Sequence, residues 1–289
     1  MRTNKFIRRF AALLLAALLL FAAGCELDWL LAPLPIPAPE GSAALHFIDV
    51  GQGDSTLVEA GGQYLLVDGG ERGSEDTIIK YLHRLGVERL DYVVATHPHS
   101  DHMGGLAYGV LEAFPVGTVI MPRLSAENTP TTQTYEKFLD AVAKLAKDGT
   151  AAKYARPGDV YPLGGISFTI LGPLREDGEN LNNDSVILRV DGQNAAALFT
   201  GDAEKNVEAA LVREYGESLQ AGLLKAGHHG SKTSSSEDFL QAVQPEAAVI
   251  SCGAGNSYGH PHPEIVERYE ALGIELYRTD IEGTIVLYI

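Results

Sequence analysis

Four metal-compatible side chains lie within six residues of one short segment. The segment Ala95–Gly105 reads ATHPHSDHMGG and contributes His97, His99, Asp101 and His102. Imidazole and carboxylate groups without a thiolate suit Zn²⁺, with Mn²⁺ or Fe²⁺ as alternatives. Because cationic histidines this close together would repel one another, the spacing favours a bound cation over a chance polar loop.

Two later segments offer groups of the same kind. The segment LFTGDAE carries Asp202, whose two oxygens could bridge two cations or whose carboxylate could cap the helix that follows. The segment LKAGHHGSKTSS carries His228 and His229, which an exposed turn between glycines would also explain. All three segments follow strand patterns, and together they favour one shared metal site over three separate loops.

The elements that must position these groups alternate between strand and helix patterns from Ala44 onward. A first block has strands such as QYLLVDGG and DYVVAT with helical spacing in SEDTIIKYLHRLG and TQTYEKFLDAVAKLAKDG. A second block has strands such as SVILRV and AAVISCG with helices such as PEIVERYEALG. The pattern predicts an α+β fold in residues 44–289, with two mixed sheets packed face to face and helices outside.

The N-terminal segment has the composition of an export signal. Four basic residues precede an apolar run over residues 10–23, which is shorter than the roughly 20 residues of a spanning helix. We therefore predict a signal peptide over residues 1–24, and a lipidated Cys25 followed by a proline-rich tether that ends at residue 43. The protein is expected to be exported and lipid-anchored to the bacterial cell membrane, with plain secretion as the alternative.

The formal net charge of −16 limits the classes of partner. So acidic a chain does not offer a broad electrostatic surface for nucleic acid. A polyanionic substrate such as DNA would have to be held locally, by metal ions or a few basic residues. The sequence gives no signal for an oligomeric state.

The ordered motifs THPHSDHMGG, TGD and HHGS resemble the metallo-β-lactamase superfamily. More narrowly, FIDVGQGDS, LLVDGG, NNDSVILRV, LLKAGHHGSKTS, GHPHPE and YRTDIEGTI resemble the hydrolase domain of ComEC-type competence proteins. This resemblance covers nearly all of residues 45–289. It does not include the channel segments of those proteins, so a role in DNA uptake is not carried over.

The resemblance implies an αββα sandwich with two divalent metal ions, most simply zinc, at one edge. Six residues match the superfamily's ligands. His97 and His99 would bind one ion, Asp101 and His102 the other, Asp202 would bridge them, and His228 would complete the second site. No histidine lies between residues 102 and 228, where many members have a further ligand. Asn183 is our candidate for a weak ligand or a water-holding group there, and Asp68 would steady the metal-binding loop.

The implied activity is metal-dependent hydrolysis, most simply of a phosphodiester by a nuclease-like enzyme in which two metal ions hold hydroxide for attack. Asp101 would orient this nucleophile, and His229 or His260 would protonate the leaving oxygen. Ser231, Lys232, Thr233 and Ser234 could cradle a phosphate or simply form the loop before a helix. Asp49, Gln52 and Asp54 could line the mouth of the site.

Two other functions remain open at this stage. The same fold and metals could serve an esterase of phosphocholine or of a cell-surface polymer, or a lactonase. A non-catalytic lipoprotein stabilised by metal is the alternative outside enzymes, although a decayed site would be expected to lose His or Asp residues.

Overall fold

Two seven-stranded sheets organise the described part of the chain. The computed structural model describes residues 42–176 and 178–289, and the predicted signal peptide, Cys25 and residues 25–41 of the predicted tether lie outside the described residues. The first sheet has the strand order β14-β1-β2-β3-β4-β5-β6, and the second has the order β13-β12-β11-β10-β9-β8-β7. The strands are β1 (Ala44–Phe47), β2 (Thr56–Ala60), β3 (Gln63–Val67), β4 (Leu90–Val94), β5 (Val116–Met121), β6 (Ala151–Tyr154), β7 (Val160–Leu163), β8 (Ile166–Gly172), β9 (Ile187–Asp191), β10 (Ala196–Phe199), β11 (Leu223–Lys225), β12 (Ala247–Ile250), β13 (Glu275–Arg278) and β14 (Ile285–Tyr288).

The helices of the described residues cover the outer faces of both sheets. They are α1 (Glu75–Arg84), α2 (Ser100–Gly105), α3 (Leu111–Ala113), α4 (Gln133–Lys147), α5 (Lys205–Tyr215), α6 (Glu237–Val243), α7 (Pro263–Ala271) and α8 (Thr279–Glu282). A π-helical turn, Leu106–Val110, joins α2 to α3, and 3₁₀ turns span Leu181–Asp184, Gly216–Leu219 and Gly227–Gly230. Within the described ranges, no helix has the length and apolar character that crossing a membrane requires.

Three apolar layers follow from the alternation of side chains along the strands. In β4, Val94 belongs to the core between the two sheets, whereas its neighbour Val93 packs under α1 and α4. In β12, Val249 faces the same central core and Ile250 packs under the helices of the second sheet. Successive strand residues point to opposite faces, and here both faces are buried. The predicted αββα sandwich of two mixed sheets is confirmed.

The domain extends slightly beyond its predicted start. Ala43, predicted as the last residue of the tether, is fully buried and exchanges two backbone hydrogen bonds with Ile289. Two strands, β6 and β7, were not predicted from the sequence; each is an outer strand of its sheet. Their short length, the exposure of β6 and Pro162 in β7 are typical of edge strands and weaken the alternating pattern.

Candidate metal centre

The segments that carry the candidate ligands follow parallel strands and lie at one edge of the sandwich. β3 pairs in parallel with β4, and the loops that follow them carry Asp68 and the His97–His102 motif. β10 pairs in parallel with β11, and the residues after these strands include Asp202 and the His228–His229 pair. Because the carboxyl ends of parallel neighbours meet at the same edge of a sheet, all these side chains converge there.

Two groups of potential ligands share one aspartate. The His97 group consists of His97, His99 and Asp202, and the His102 group consists of Asp54, His102, Asp202 and His229. Within each group the candidate ligand atoms lie within 4.8 Å of one another. All of these side chains except that of His99 are buried.

Asp202 lies between the imidazoles of both groups. Its Oδ2 lies 3.7 Å from His97 Nε2 and 3.5 Å from His229 Nε2, and its Oδ1 lies 3.3 Å from His102 Nε2. This Oδ1 is buried without a hydrogen bond to any described residue. Helix α5 begins with Glu204 as its N-cap, so Asp202 does not cap it. The position of Asp202 fits a bridging carboxylate.

The hydrogen bonds behind the histidines direct nitrogen lone pairs into the His102 group. His102 Nδ1 lies 2.8 Å from the carboxylate of Asp68, and His229 Nδ1 lies 3.0 Å from the carbonyl oxygen of Ser251. Carboxylates and carbonyls only accept, so both rings donate from Nδ1 and their neutral forms carry a lone pair on Nε2. The two Nε2 atoms lie only 3.3 Å apart, an arrangement that requires a proton or a cation between them.

Thr96 and Asp68 form hydrogen bonds with the first histidine motif. The Thr96 hydroxyl donates to Asp68 Oδ2 at 2.7 Å and lies 3.1 Å from His97 Nδ1. His97 therefore donates from Nδ1, and its Nε2 faces His99 Nδ1 at 3.1 Å. Asp68 adopts a left-handed backbone conformation with φ 59° and also accepts from the backbone N–H of Thr96. Asp68 thus contacts both Thr96 and His102, and its steadying role stays a prediction.

Glycines let this loop pack tightly. A Cβ atom at Gly104 would collide with the backbone of Glu71 and Arg72, and one at Gly105 would collide with the carbonyl oxygen of Gly69. The two glycines thus allow α2 to contact the loop after β3 directly. This contact holds Asp68 against His102.

The pKa values of the side chains in the His102 group show that this group favours bound positive charge. Burial lowers the pKa values of His102 and His229, but neighbouring carboxylates, Asp202 first among them, outweigh it and raise both values well above normal. Burial correspondingly raises the pKa of Asp202, but the histidines hold it well below its ordinary value. Divalent cations would replace these protons, so the donor set fits two such ions.

A buried lysine and aspartate lie behind His229. Asp54 Oδ1 lies 3.2 Å from His229 Nδ1, and Asp54 Oδ2 forms an ion pair of 2.8 Å with Lys225 Nζ. Asp54 thus contacts the Nδ1 edge of the imidazole, whereas Asp202 faces its Nε2. Asp54 was predicted at the mouth of the site but lies behind His229, and Lys225 was not predicted as a site residue. The signal for Lys225 was a lysine in the apolar strand segment GLLKAG.

The two adjacent histidines occupy different positions. His229 was predicted as a proton donor, but the structure brings it into the His102 group. His228, predicted as the last ligand, is more exposed; its Nε2 lies 3.7 Å from Asp202 Oδ2 and its Nδ1 lies 2.9 Å from the Thr233 hydroxyl. Both residues have positive φ angles, a strained conformation that costs about 1–3 kcal/mol each and is common at functional sites.

A cavity of about 410 Å³ opens onto the two groups. Asp101 reaches it, and its Oδ2 lies 3.2 Å from His229 Nε2. Burial opposes its ionisation, but the nearby histidines lower its pKa and keep it ionised. His260 also lines the cavity; burial, with the neighbouring histidines, lowers its pKa to about 4 and leaves it neutral at pH 7.

The structure places Asn182, rather than Asn183, at this cavity. Asn183 Oδ1 accepts a hydrogen bond of 3.1 Å from the backbone N–H of Glu204 and is occupied there. Asn182 Oδ1 is buried and forms no hydrogen bond with a described residue. The two residues occupy the same short 3₁₀ turn, and the sequence alone could not tell which one faces the cavity.

The residues of the predicted phosphate-binding run do not line the cavity. Ser234 is buried and donates to the carbonyl oxygen of Gly227, and Ser231 pairs with Thr233 at 3.1 Å. Lys232 is exposed, and its backbone N–H donates to His262 Nδ1. These contacts shape the loop around His228, and a direct phosphate contact of this run stays a prediction.

Residues 48–254 match the Metallo-beta-lactamase superfamily. The chain belongs to this superfamily. Tm1679, described as a metal-dependent hydrolase of the beta-lactamase superfamily, is a solved structure of similar fold. It has a TM-score of 0.52 at 18% identity, and the match covers 86% of this chain and 98% of that one.

Within the superfamily, the chain is similar to competence proteins. It is 32% identical to ComE operon protein 3 of Bacillus subtilis (strain 168), over 90% of this chain and 34% of the relative. It is 35% identical to competence protein ComA of Neisseria gonorrhoeae, over 87% of this chain and 33% of the relative. The chain thus spans about a third of the length of these relatives, and the predicted ComEC-like resemblance is confirmed.

Proposed function

We propose that this metallo-β-lactamase-fold chain is a metal-dependent phosphodiester hydrolase whose substrate is a single-stranded nucleic acid. The observation that carries the hydrolase assignment is the convergence of His102 Nε2, His229 Nε2 and both oxygens of Asp202 on one small volume. The choice of a nucleic acid rests on the similarity to proteins named for competence and, in a third relative from Haemophilus influenzae, for recombination.

The ligand assignment follows the two groups. His97, His99 and Asp202 would hold one ion, and His102, Asp202 and His229 the other, with Asp101 beside the latter. Bound divalent cations would supply Lewis-acid activation of water and neutralise phosphate oxygens, which matters in a chain of net charge −16.

The chain's own residues orient the reactants. The ionised carboxylate of Asp101 faces the cavity and can accept a hydrogen bond from the attacking water, holding one oxygen lone pair toward the phosphorus. His260 is neutral at pH 7, so it can donate a hydrogen bond to the leaving oxygen but not the proton that was predicted for it from the sequence. Asp68 and the carbonyl oxygen of Ser251 hold the rings of His102 and His229 in the tautomer that leaves Nε2 free, and Asp54 lies beside His229 Nδ1.

The test is a substrate panel given to the full chain with Mn²⁺ or Zn²⁺. Single-stranded DNA, bis(4-nitrophenyl) phosphate, a phosphocholine ester, a lactone and a β-lactam would be compared, beside the variants Asp202→Ala and Asp238→Ala. Asp238 is an exposed aspartate of α6 and serves as the matched control.

We expect cleavage of the two phosphodiesters, a loss of at least 100-fold in Asp202→Ala and no change in Asp238→Ala. Elemental analysis should find two cations per wild-type chain. Cleavage of only the lactone, the β-lactam or the phosphocholine ester would replace the proposed substrate class. Metal-loaded protein that cleaves nothing would favour a binding role.

A further inference from the structure

A column of aromatic rings leads from the metal-compatible groups to the protein surface. The ring of His260 stacks on that of His229 with centroids 6.1 Å apart and planes inclined by 28°. The ring of Tyr258 in turn stacks on that of His260, with centroids 5.7 Å apart and planes inclined by 23°. Each ring is thus within 30° of parallel to its neighbour in the column, and Tyr258, the outermost ring, is exposed to solvent.

Tyr258 is unusually exposed for an aromatic residue at a cavity. Its exposed fraction is 62%, yet it lines the same cavity as Asp101, Asp202 and His229. An isolated exposed tyrosine on a surface needs no explanation. A tyrosine that continues a ring stack out of the site offers the next parallel position to another flat ring.

The loop that presents Tyr258 is fixed by one side chain. Asn256 Nδ2 donates to the carbonyl oxygens of Gly253 and His260, and Asn256 Oδ1 accepts from the backbone N–H groups of Tyr258 and His260. Gln52 Oε1 also accepts from the backbone N–H of Gly253 and ties the loop to the segment after β1. The loop that carries Tyr258 is therefore ordered before any ligand binds. This lowers the entropic cost of stacking a ligand ring on Tyr258.

We propose that Tyr258 is a stacking platform for a nucleobase next to the phosphodiester bond that is cleaved. The proposal deepens the proposed function and rests on it for the identity of the substrate. Stacking on an aromatic ring is sequence-tolerant and needs no positive charge, because every base has a flat face. It gives a chain of net charge −16 a way to hold a polyanion that a basic surface does not provide.

The test compares oligothymidylate with an oligomer of equal length in which every nucleotide is an abasic tetrahydrofuran. The full chain with Mn²⁺ would be assayed as wild type and as Tyr258→Ala, Tyr258→Phe and Tyr154→Ala. Tyr154 is 52% exposed at the end of β6 and does not line the cavity, so it is the matched control.

We expect Tyr258→Ala to lower kcat/KM for oligothymidylate roughly 5- to 150-fold, mainly through KM, and to change abasic cleavage less than about twofold. Tyr258→Phe and Tyr154→Ala should behave as wild type. An equal loss on both oligomers would show a role in folding or chemistry and overturn the proposal, as would no loss on either.

A second readout separates this proposal from the proposed function. An oligothymidylate carrying one 2-aminopurine would be titrated with the Mn²⁺-loaded full chain and its fluorescence read before cleavage proceeds, since stacking on an aromatic ring quenches this fluorophore. Quenching by wild type and Tyr258→Phe, but not by Tyr258→Ala, supports the platform. If this quenching occurs while no oligomer is cleaved, only the nuclease assignment fails. Cleavage of both oligomers without any quenching overturns the platform alone, and neither cleavage nor quenching overturns both.

Discussion

Lys225 Nζ lies 2.8 Å from Asp54 Oδ2, and both side chains are buried beneath the candidate metal centre. The other oxygen of Asp54 lies 3.2 Å from His229 Nδ1. A buried ammonium thus supports a carboxylate, which in turn supports the imidazole that faces Asp202. Since the desolvation of two charges offsets much of their attraction, the arrangement is better explained by the orientation of His229 than by stability.

Lys225→Met should destabilise the protein strongly. The substitution leaves the Asp54 carboxylate buried without its cation, and we expect a loss of about 3–5 kcal/mol in the free energy of unfolding. Urea unfolding of the metal-free protein measures it. The double variant Lys225→Met/Asp54→Leu should recover part of that loss, and strict additivity of the two single variants would contradict the coupling.

The ion pair should also make stability depend on pH. Burial opposes the ionisation of Asp54, but Lys225 and His229 outweigh it and lower the pKa from 3.8 to about 2. A lowered folded-state pKa contributes stability above pH 3.8, on the order of 2 kcal/mol, that is lost as pH falls toward 2.

Metal-free wild type and Asp54→Asn would be unfolded with urea between pH 5 and pH 2 to measure this contribution. The difference between their unfolding free energies should shrink with acidification over that range. A difference that stays constant would show that Asp54 keeps an ordinary pKa.

Substitution of the two adjacent histidines should have unequal effects on metal binding. His229 Nε2 lies in the His102 group, whereas His228 Nε2 only approaches one oxygen of Asp202. We expect His229→Ala to lose about one cation per chain and His228→Ala to keep both, with elemental analysis and calorimetric titration as measurements. The opposite result would support His228 as the ligand that the superfamily motif suggests.

Substitutions of the two asparagines in the Leu181–Asp184 turn should have different effects, one on binding and the other on stability. Asn182→Ala removes a buried amide at the cavity wall and should weaken metal or substrate binding without much change in stability. Asn183→Ala leaves the Glu204 N–H without its acceptor and should cost about 1–3 kcal/mol of stability. Apparent metal affinity and urea midpoints measure the two effects, and a loss of binding confined to Asn183→Ala would reverse the assignment.

Local sequence patterns were sufficient for the fold and for the histidines and Asp202 that meet at the candidate site, but not for Lys225 or Asn182. Alternating apolar runs ending in Asp68, His97 and Asp202 predict strands whose polar ends share one edge, because strand periodicity and parallel pairing are local and general rules. The pattern weakened at β6 and β7, where exposed edge strands bury little apolar surface.

The amino-acid sequence by itself determined which residue types reach the edge of the sandwich: three clustered histidines, the aspartate Asp202 and a further histidine pair. Only the tertiary structure decided that His229 rather than His228 enters the His102 group, and that Lys225 and Asp54 support it from behind. The physical reason is that neighbouring residues of one loop point in different directions set by their backbone angles. Those angles are fixed here by packing and hydrogen bonds from strands far away in the chain, such as the carbonyl of Ser251 after β12.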